Sequence, residues 1–145
     1  MSIQKATINE LDSIAELFNS YRVFYHQESN LEGAREFLKK RLVNEESVVF
    51  IANDEGHAVG FVQLYPTFSS VSMKKSWVLN DLFVNESARK KGFGEKLLKK
   101  AIEFAEETGA KGLFLETGHD NVTAQRLYEK IGFKKETNYF YYYSL

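Results

Sequence analysis

Between an aromatic, β-branched stretch, Trp77 to Val84, and an amphipathic one, Phe93 to Thr108, the chain reads Arg89-Lys90-Lys91-Gly92-Phe93-Gly94. A strand that hands over to a helix through such a loop places a backbone cradle for an anion at the end of a sheet. Gly92 and Gly94 lack a Cβ, so a ligand can approach the main chain closely. The helix that follows begins with unpaired N–H groups and a partial positive charge. Arg89, Lys90 and Lys91 add to the attraction. Taken alone, the glycine pair is equally compatible with a solvated loop ahead of a helix.

The flanking pattern predicts a mixed α/β chain. Ile3 to Ala6 reads as a strand, and Thr7 with Glu10 as a capping box that opens a helix through Leu11, Ile14, Leu17, Phe18, Tyr21 and Phe24. Gln27 to Asn30 breaks the pattern, and a second helix follows from Leu31 to Val43. Val48 to Asn53 and His57 to Tyr65 alternate as strands around Asp54-Glu55-Gly56, a hairpin turn. Pro66 is expected to end that run, Thr67 to Lys75 to form a polar loop, and Ser76 to Val84 to complete an antiparallel meander. After the third helix, Gly109 reads as its C-terminal cap. Leu113 to Glu116 reads as a buried strand, Asn121 to Ile131 as a fourth helix ending at Gly132, and Tyr139 to Tyr143 as a final aromatic strand.

At 145 residues, with no internal repeat or linker, the expectation is one domain spanning 1–145. A net charge of −1 argues against bulk nucleic-acid binding, and no apolar run approaches the ~20 residues of a membrane helix. The absence of cysteine excludes disulfides, thiol catalysis and cysteine-based zinc sites, and with no signal peptide the expected home is the cytoplasm. No His and carboxylate cluster suggests a metal; His26 and His119 each invite a catalytic reading but as single histidines more often serve as ordinary hydrogen-bonding groups, and His57 in the hairpin reads as solvent-facing.

The strand, the Arg-x-x-Gly-x-Gly loop and the helix are followed by Asn121-x-x-Ala124-x-x-Leu127-Tyr128-x-Lys130-x-Gly132-Phe133. In this order and separation the motifs resemble the GNAT family of acetyl-CoA-dependent N-acetyltransferases, with the whole-chain pattern closest to its histone or polyamine acetyltransferase-like branch. The resemblance implies a GNAT fold, a mostly antiparallel twisted sheet of about seven strands with a splayed parallel pair and about four helices. It implies that acetyl-CoA lies with its pyrophosphate on Arg89, Lys90, Lys91, Gly92, Phe93, Gly94 and Glu95. The pantetheine arm would pair with the backbone of Leu82, Phe83 and Val84 and touch Asn121, Ala124, Tyr128 and Lys130. Asn121 and Tyr128, seven residues apart on one helix, share a face and lie roughly 10 Å apart along it.

Acetyl transfer by direct attack requires an amine to lose a proton and a thiolate to be stabilised. Tyr128 is the candidate acid. The base is open: Asn80 cannot take a proton, and strict alternation points Asp81 to the opposite face unless a bulge intervenes. Tyr25, His26, Glu28 and Tyr65 are candidates for the acceptor pocket, where aromatic walls and a carboxylate suit a small amine, polyamine or amino acid. A homodimer is expected, with the tyrosine-rich terminus as a plausible contact. Asn80 keeps alive a non-catalytic acyl-CoA sensor, and a protein or peptide amine remains an alternative acceptor. A dinucleotide-binding oxidoreductase fits poorly, because Leu97 stands where the third glycine should be.

Overall fold

The computed structural model describes residues 1–145. Thr7 and Glu10 set the first helix. The Asn9 amide donates to Thr7 Oγ1 at 3.2 Å and the Thr7 amide to Glu10 Oε1 at 2.8 Å, completing the capping box. A 3-10 turn, Ile8–Glu10, then leads into α1, Leu11–Phe24. Helix α2, Leu31–Val43, opens on Asn30, whose Oδ1 accepts the Gly33 amide at 2.9 Å.

Five strands form one sheet in sequence order: β1 Ser2–Lys5, β2 Val48–Asp54, β3 His57–Ser69, β4 Lys74–Val84 and β5 Leu113–Phe114. The first four pair antiparallel, while β4 and β5 run parallel. Glu55 and Gly56 both take positive φ, at 51° and 82°, which is the geometry a two-residue hairpin between β2 and β3 demands.

The sheet separates two cores. On one face α1 and α2 bury Ile14, Ala15 and Leu38 against Val49, Ile51 and Phe61. On the other, α3, Phe93–Glu107, buries Phe93, Leu97, Leu98 and Ala101 against Phe50, Val62 and Leu64. Leu97 and Leu98 are fully buried, which contributes about 1.5–3 kcal/mol each before entropy is counted. Helix α4, Val122–Ile131, buries no residue completely.

The strands depart from the sequence reading in four places. Pro66 does not end β3: it pairs opposite Trp77, because β2 has already stopped at the Val48 to Leu64 pair. A residue without an N–H is tolerated where only one neighbour remains. Most of the expected loop from Thr67 to Lys75 is therefore hairpin, with Thr67, Phe68 and Ser69 paired to Ser76, Lys75 and Lys74. Strand β5 stops at Phe114 and not at Glu116. Tyr139 to Tyr143 forms no strand, so the sheet has five strands where about seven were expected; this segment makes no backbone hydrogen bond to the rest of the chain.

Candidate active site

The loop after β4 is an uncommitted set of donors. Lys90 and Gly92 take φ of 65° and 86°, and α3 begins at Phe93 with no side-chain cap. The backbone amides of Lys90 through Glu95 donate no hydrogen bond within the chain; the first bonded amide is Lys96, which reaches the Gly92 carbonyl at 3.1 Å. Consecutive free amides at a helix start, with the helix dipole behind them, form an anion seat.

The side chains around this seat are less available than the sequence suggests. Arg89 turns back: its Nε donates to the Val84 carbonyl at 3.0 Å, and its guanidinium lies 5.0 Å from the Phe24 ring centre and 5.8 Å from that of Phe83. Lys91 approaches Asp54 at 3.9 Å, and Lys90 is exposed. Glu95 accepts Lys130 at 3.4 Å and Lys99 at 3.7 Å, so Glu95 and Lys130 tie α4 to α3. A Cβ placed on Gly94 would meet Leu127 at an ordinary 3.6 Å, so Gly94 also sits where the two helices approach.

Beside the loop, β4 has an open edge. β5 pairs only with Trp77 and Val78, so from Leu79 to Val84 the strand has a neighbour on the β3 side alone. Unpaired edge groups of this kind accept an extended ligand as an added strand. Among the expected partners Leu82, Phe83 and Val84, the Val84 carbonyl is already occupied by Arg89.

The bulge that strict alternation lacked is present. Gln63 pairs with Asp81 but Leu64 with Leu79, leaving Asn80 as the extra residue. The bulge switches faces: Trp77 and Leu79 join the α3 core, whereas Phe83 joins the α1 core. Asp81, only 5% exposed, accepts Gln63 Nε2 at 2.8 Å and Asn80 Nδ2 at 3.2 Å. Tyr21 and Tyr65 face this carboxylate. Burial and then Asp81 push the Tyr21 phenol well above its ordinary range, and the same two causes raise Tyr65 to about 12.

Tyr21 escaped the sequence reading because it occupies the apolar stripe of α1, and a phenol in such a stripe looks like core. Its ring centre lies 5.1 Å from Tyr25 and 5.9 Å from Phe83. Tyr128, half-buried on α4, packs against Phe133 at 5.9 Å; burial foremost and then Tyr25 raise its phenol. Tyr21, Tyr25, Tyr65, Asp81 and Tyr128 are therefore electrostatically linked.

His26 and Glu28 sit outside this cluster in character. Both are exposed, and His26 takes φ of 66° where α1 ends, its amide reaching the Val23 carbonyl at 2.9 Å. The Glu28 carbonyl accepts Arg22 at 3.3 Å. Asn121 stands at the start of α4 without capping it; its Nδ2 donates to Thr117 Oγ1 at 3.4 Å. Ala124 is half-buried one turn before Tyr128. No group of three or more His, Asp or Glu side chains is arranged to hold a metal ion, and no helix is long and apolar enough to cross a membrane.

With this geometry in place, comparison with known proteins is specific. The profile of the acetyltransferase (GNAT) family matches residues 11–133. The chain is 51% identical to the uncharacterised N-acetyltransferase YhfO of Bacillus subtilis, over 98% of this chain and 95% of that one. It is 35% identical to the D-amino-acid N-acetyltransferase HPA3 of Saccharomyces cerevisiae, over 57% of this chain and 52% of the relative. A crystal structure of a probable acetyltransferase, 44% identical, superposes with a TM-score of 0.91 over 100% of this chain and 97% of the other.

Proposed function

Starting from a chain that belongs to the acetyltransferase (GNAT) family and uses acetyl-CoA, we propose that its acceptor is the primary amine of a small molecule, a polyamine, an amino acid or a related amine. The observation that carries this reading is the buried Asp81 carboxylate, held by Gln63 and Asn80 and faced by tyrosines. An ammonium group is attracted by such a carboxylate and by aromatic faces. Arg89 already covers Phe24 and Phe83, so Tyr21, Tyr25 and Tyr65 are the rings left for a substrate cation. That HPA3 of yeast is a D-amino-acid N-acetyltransferase supports the amino-acid end of this range.

In this reading the pyrophosphate of acetyl-CoA takes the free amides from Lys90 to Glu95, and the pantetheine arm runs along the open edge of β4 toward Asn121 and Tyr128. The amine attacks the thioester carbonyl directly. A tetrahedral intermediate collapses with loss of the coenzyme thiolate, and the proton shed by the amine leaves through Asp81, directly or by water. Tyr128 stands at the sulfur. Its raised pKa keeps the phenol protonated, and because a thiol near ~8.5 is the stronger acid, the O–H group acts chiefly by hydrogen bonding the developing thiolate.

The test is a two-part titration. Calorimetry with coenzyme A should give saturable binding; thiol release from acetyl-CoA should then rise with a panel of polyamines and amino acids. Binding without release for any amine favours the sensor, and release only with peptides moves the acceptor to proteins.

A further inference from the structure

Of the buried polar side chains Ser47, Gln63 and Asp81, only Gln63 is sealed from solvent completely. Its Nε2 donates to Asp81 Oδ2 at 2.8 Å, while its Oε1 has no hydrogen-bond partner. Chemistry dictates this orientation: an ionised carboxylate only accepts, so the NH2 end must face Asp81 and the oxygen is left over. A buried acceptor without a partner lowers stability. Methionine would fill a similar volume without that penalty, since Phe61 on β3 and Phe83 on β4, two residues away on the same face, belong to the apolar core under α1. Packing alone does not call for an amide here.

The strand register brings the two side chains together. Gln63 and Asp81 are partners across β3 and β4, and the extra residue at Asn80 turns Asp81 onto the face that Gln63 shares with Phe61. Without that bulge Asp81 would follow Trp77 and Leu79 onto the α3 side. Of the two amides that donate to the carboxylate, Asn80 at 3.2 Å is exposed, so Gln63 is the one that water does not compete with. No lysine, arginine or histidine forms a salt bridge with Asp81. A cation there would hold the carboxylate more firmly but would make it a weaker base.

We propose that Gln63 is a positioning residue of the acetyl-transfer site, its amide fixing the Asp81 carboxylate to receive the acceptor's proton without the cation that would quench its basicity. This rests on the reading of Asp81 as the group through which that proton leaves. In that step the amine N–H bond breaks, its electron pair becomes the lone pair that attacks the thioester, and the proton ends on an Asp81 oxygen, directly or through water. Gln63 touches neither coenzyme nor acceptor. Its loss is therefore felt only through Asp81.

A double-mutant cycle tests this, using Gln63→Met, Asp81→Asn and the two combined, with thiol release followed for the fastest amine of the polyamine and amino-acid panel. Gln63→Met should lower kcat ~10–100-fold, as losing a partner that orients a reactive group does, with calorimetric affinity for coenzyme A unchanged. In the Asp81→Asn background the same change should cost nothing further. A crystal structure of Gln63→Met should show the carboxylate turned from its present position. Equal losses in both backgrounds overturn the proposal, because a merely structural role does not depend on Asp81. Parental turnover in Gln63→Met overturns it too. Gln63→Glu keeps the shape while removing the donor, and passes through the same cycle should the methionine variant not fold. Parental turnover in Asp81→Asn removes the proton acceptor and Gln63 together, and leaves acetyl transfer itself standing.

Discussion

The two ends of the chain are packed to different standards. Every buried side chain lies between Ala6 and Ala105, and none from Glu106 onward is buried. The free amides after β4 and the Asp81 carboxylate therefore stand on a tightly packed body. Tyr128 rides on a helix held by half-buried contacts and by the exposed Lys130 to Glu95 pair. The contrast teaches that the proposed anion seat and the proposed proton acceptor are anchored in the densely packed part of the molecule, while the group assigned to the leaving sulfur depends on a lightly fastened arm.

The largest effect expected from testing this contrast is chemical. Tyr128→Phe should lower kcat by ~10²–10³-fold while leaving the calorimetric affinity for coenzyme A unchanged; unchanged turnover would remove the arm from the chemistry. Next comes packing. Leu97→Ala, at a fully buried site, should cost ~2–5 kcal/mol in denaturant unfolding, whereas Leu127→Ala on α4 should cost about 1 kcal/mol. Equal losses would show that both regions are fastened alike.

A pH effect separates the regions more finely. Tyr65 is raised from 10.0 to about 12 in the folded state, so the unfolded chain ionises first, and stability should fall as pH rises through that interval. Tyr65→Phe should flatten this alkaline loss in unfolding curves recorded across the window; an unaltered slope would assign the loss to other groups. The smallest effect is expected at the pair joining the regions. Lys130→Ala should change unfolding by no more than ~1 kcal/mol, given that the lysine is 69% exposed, and that small change should shrink in high salt.

How far the sequence revealed all this follows the same divide. The helices were legible because their apolar residues recur with helical period and their ends carry Thr7, Asn30, Gly109 and Gly132. The loop after β4 was legible because glycine and helix polarity are local properties. The bulge at Asn80 was not: it depends on which residue of β3 each residue of β4 meets, and a single strand does not encode its neighbour's register. Pro66 misled for the same reason, since its tolerance rests on where β2 ends. Tyr21 was hidden because its task is set by Asp81, far away in sequence. The aromatic terminus reads as a strand from composition, but strand formation needs a paired neighbour, and the segment makes no backbone hydrogen bond to the rest of the chain.

A grip made of main chain has an unusual robustness. The six peptide groups from Lys90 to Glu95 that are offered to the proposed diphosphate exist whatever side chains are attached to them. Neutralising Lys90 or Lys91 would weaken long-range pull without erasing the contact itself, and only an imino acid deletes a donor outright. Substitution of the lysines in this loop would thus tune how fast the coenzyme arrives far more readily than whether it is recognised, whereas a side chain on Gly92, at φ 86°, would strain the cradle itself.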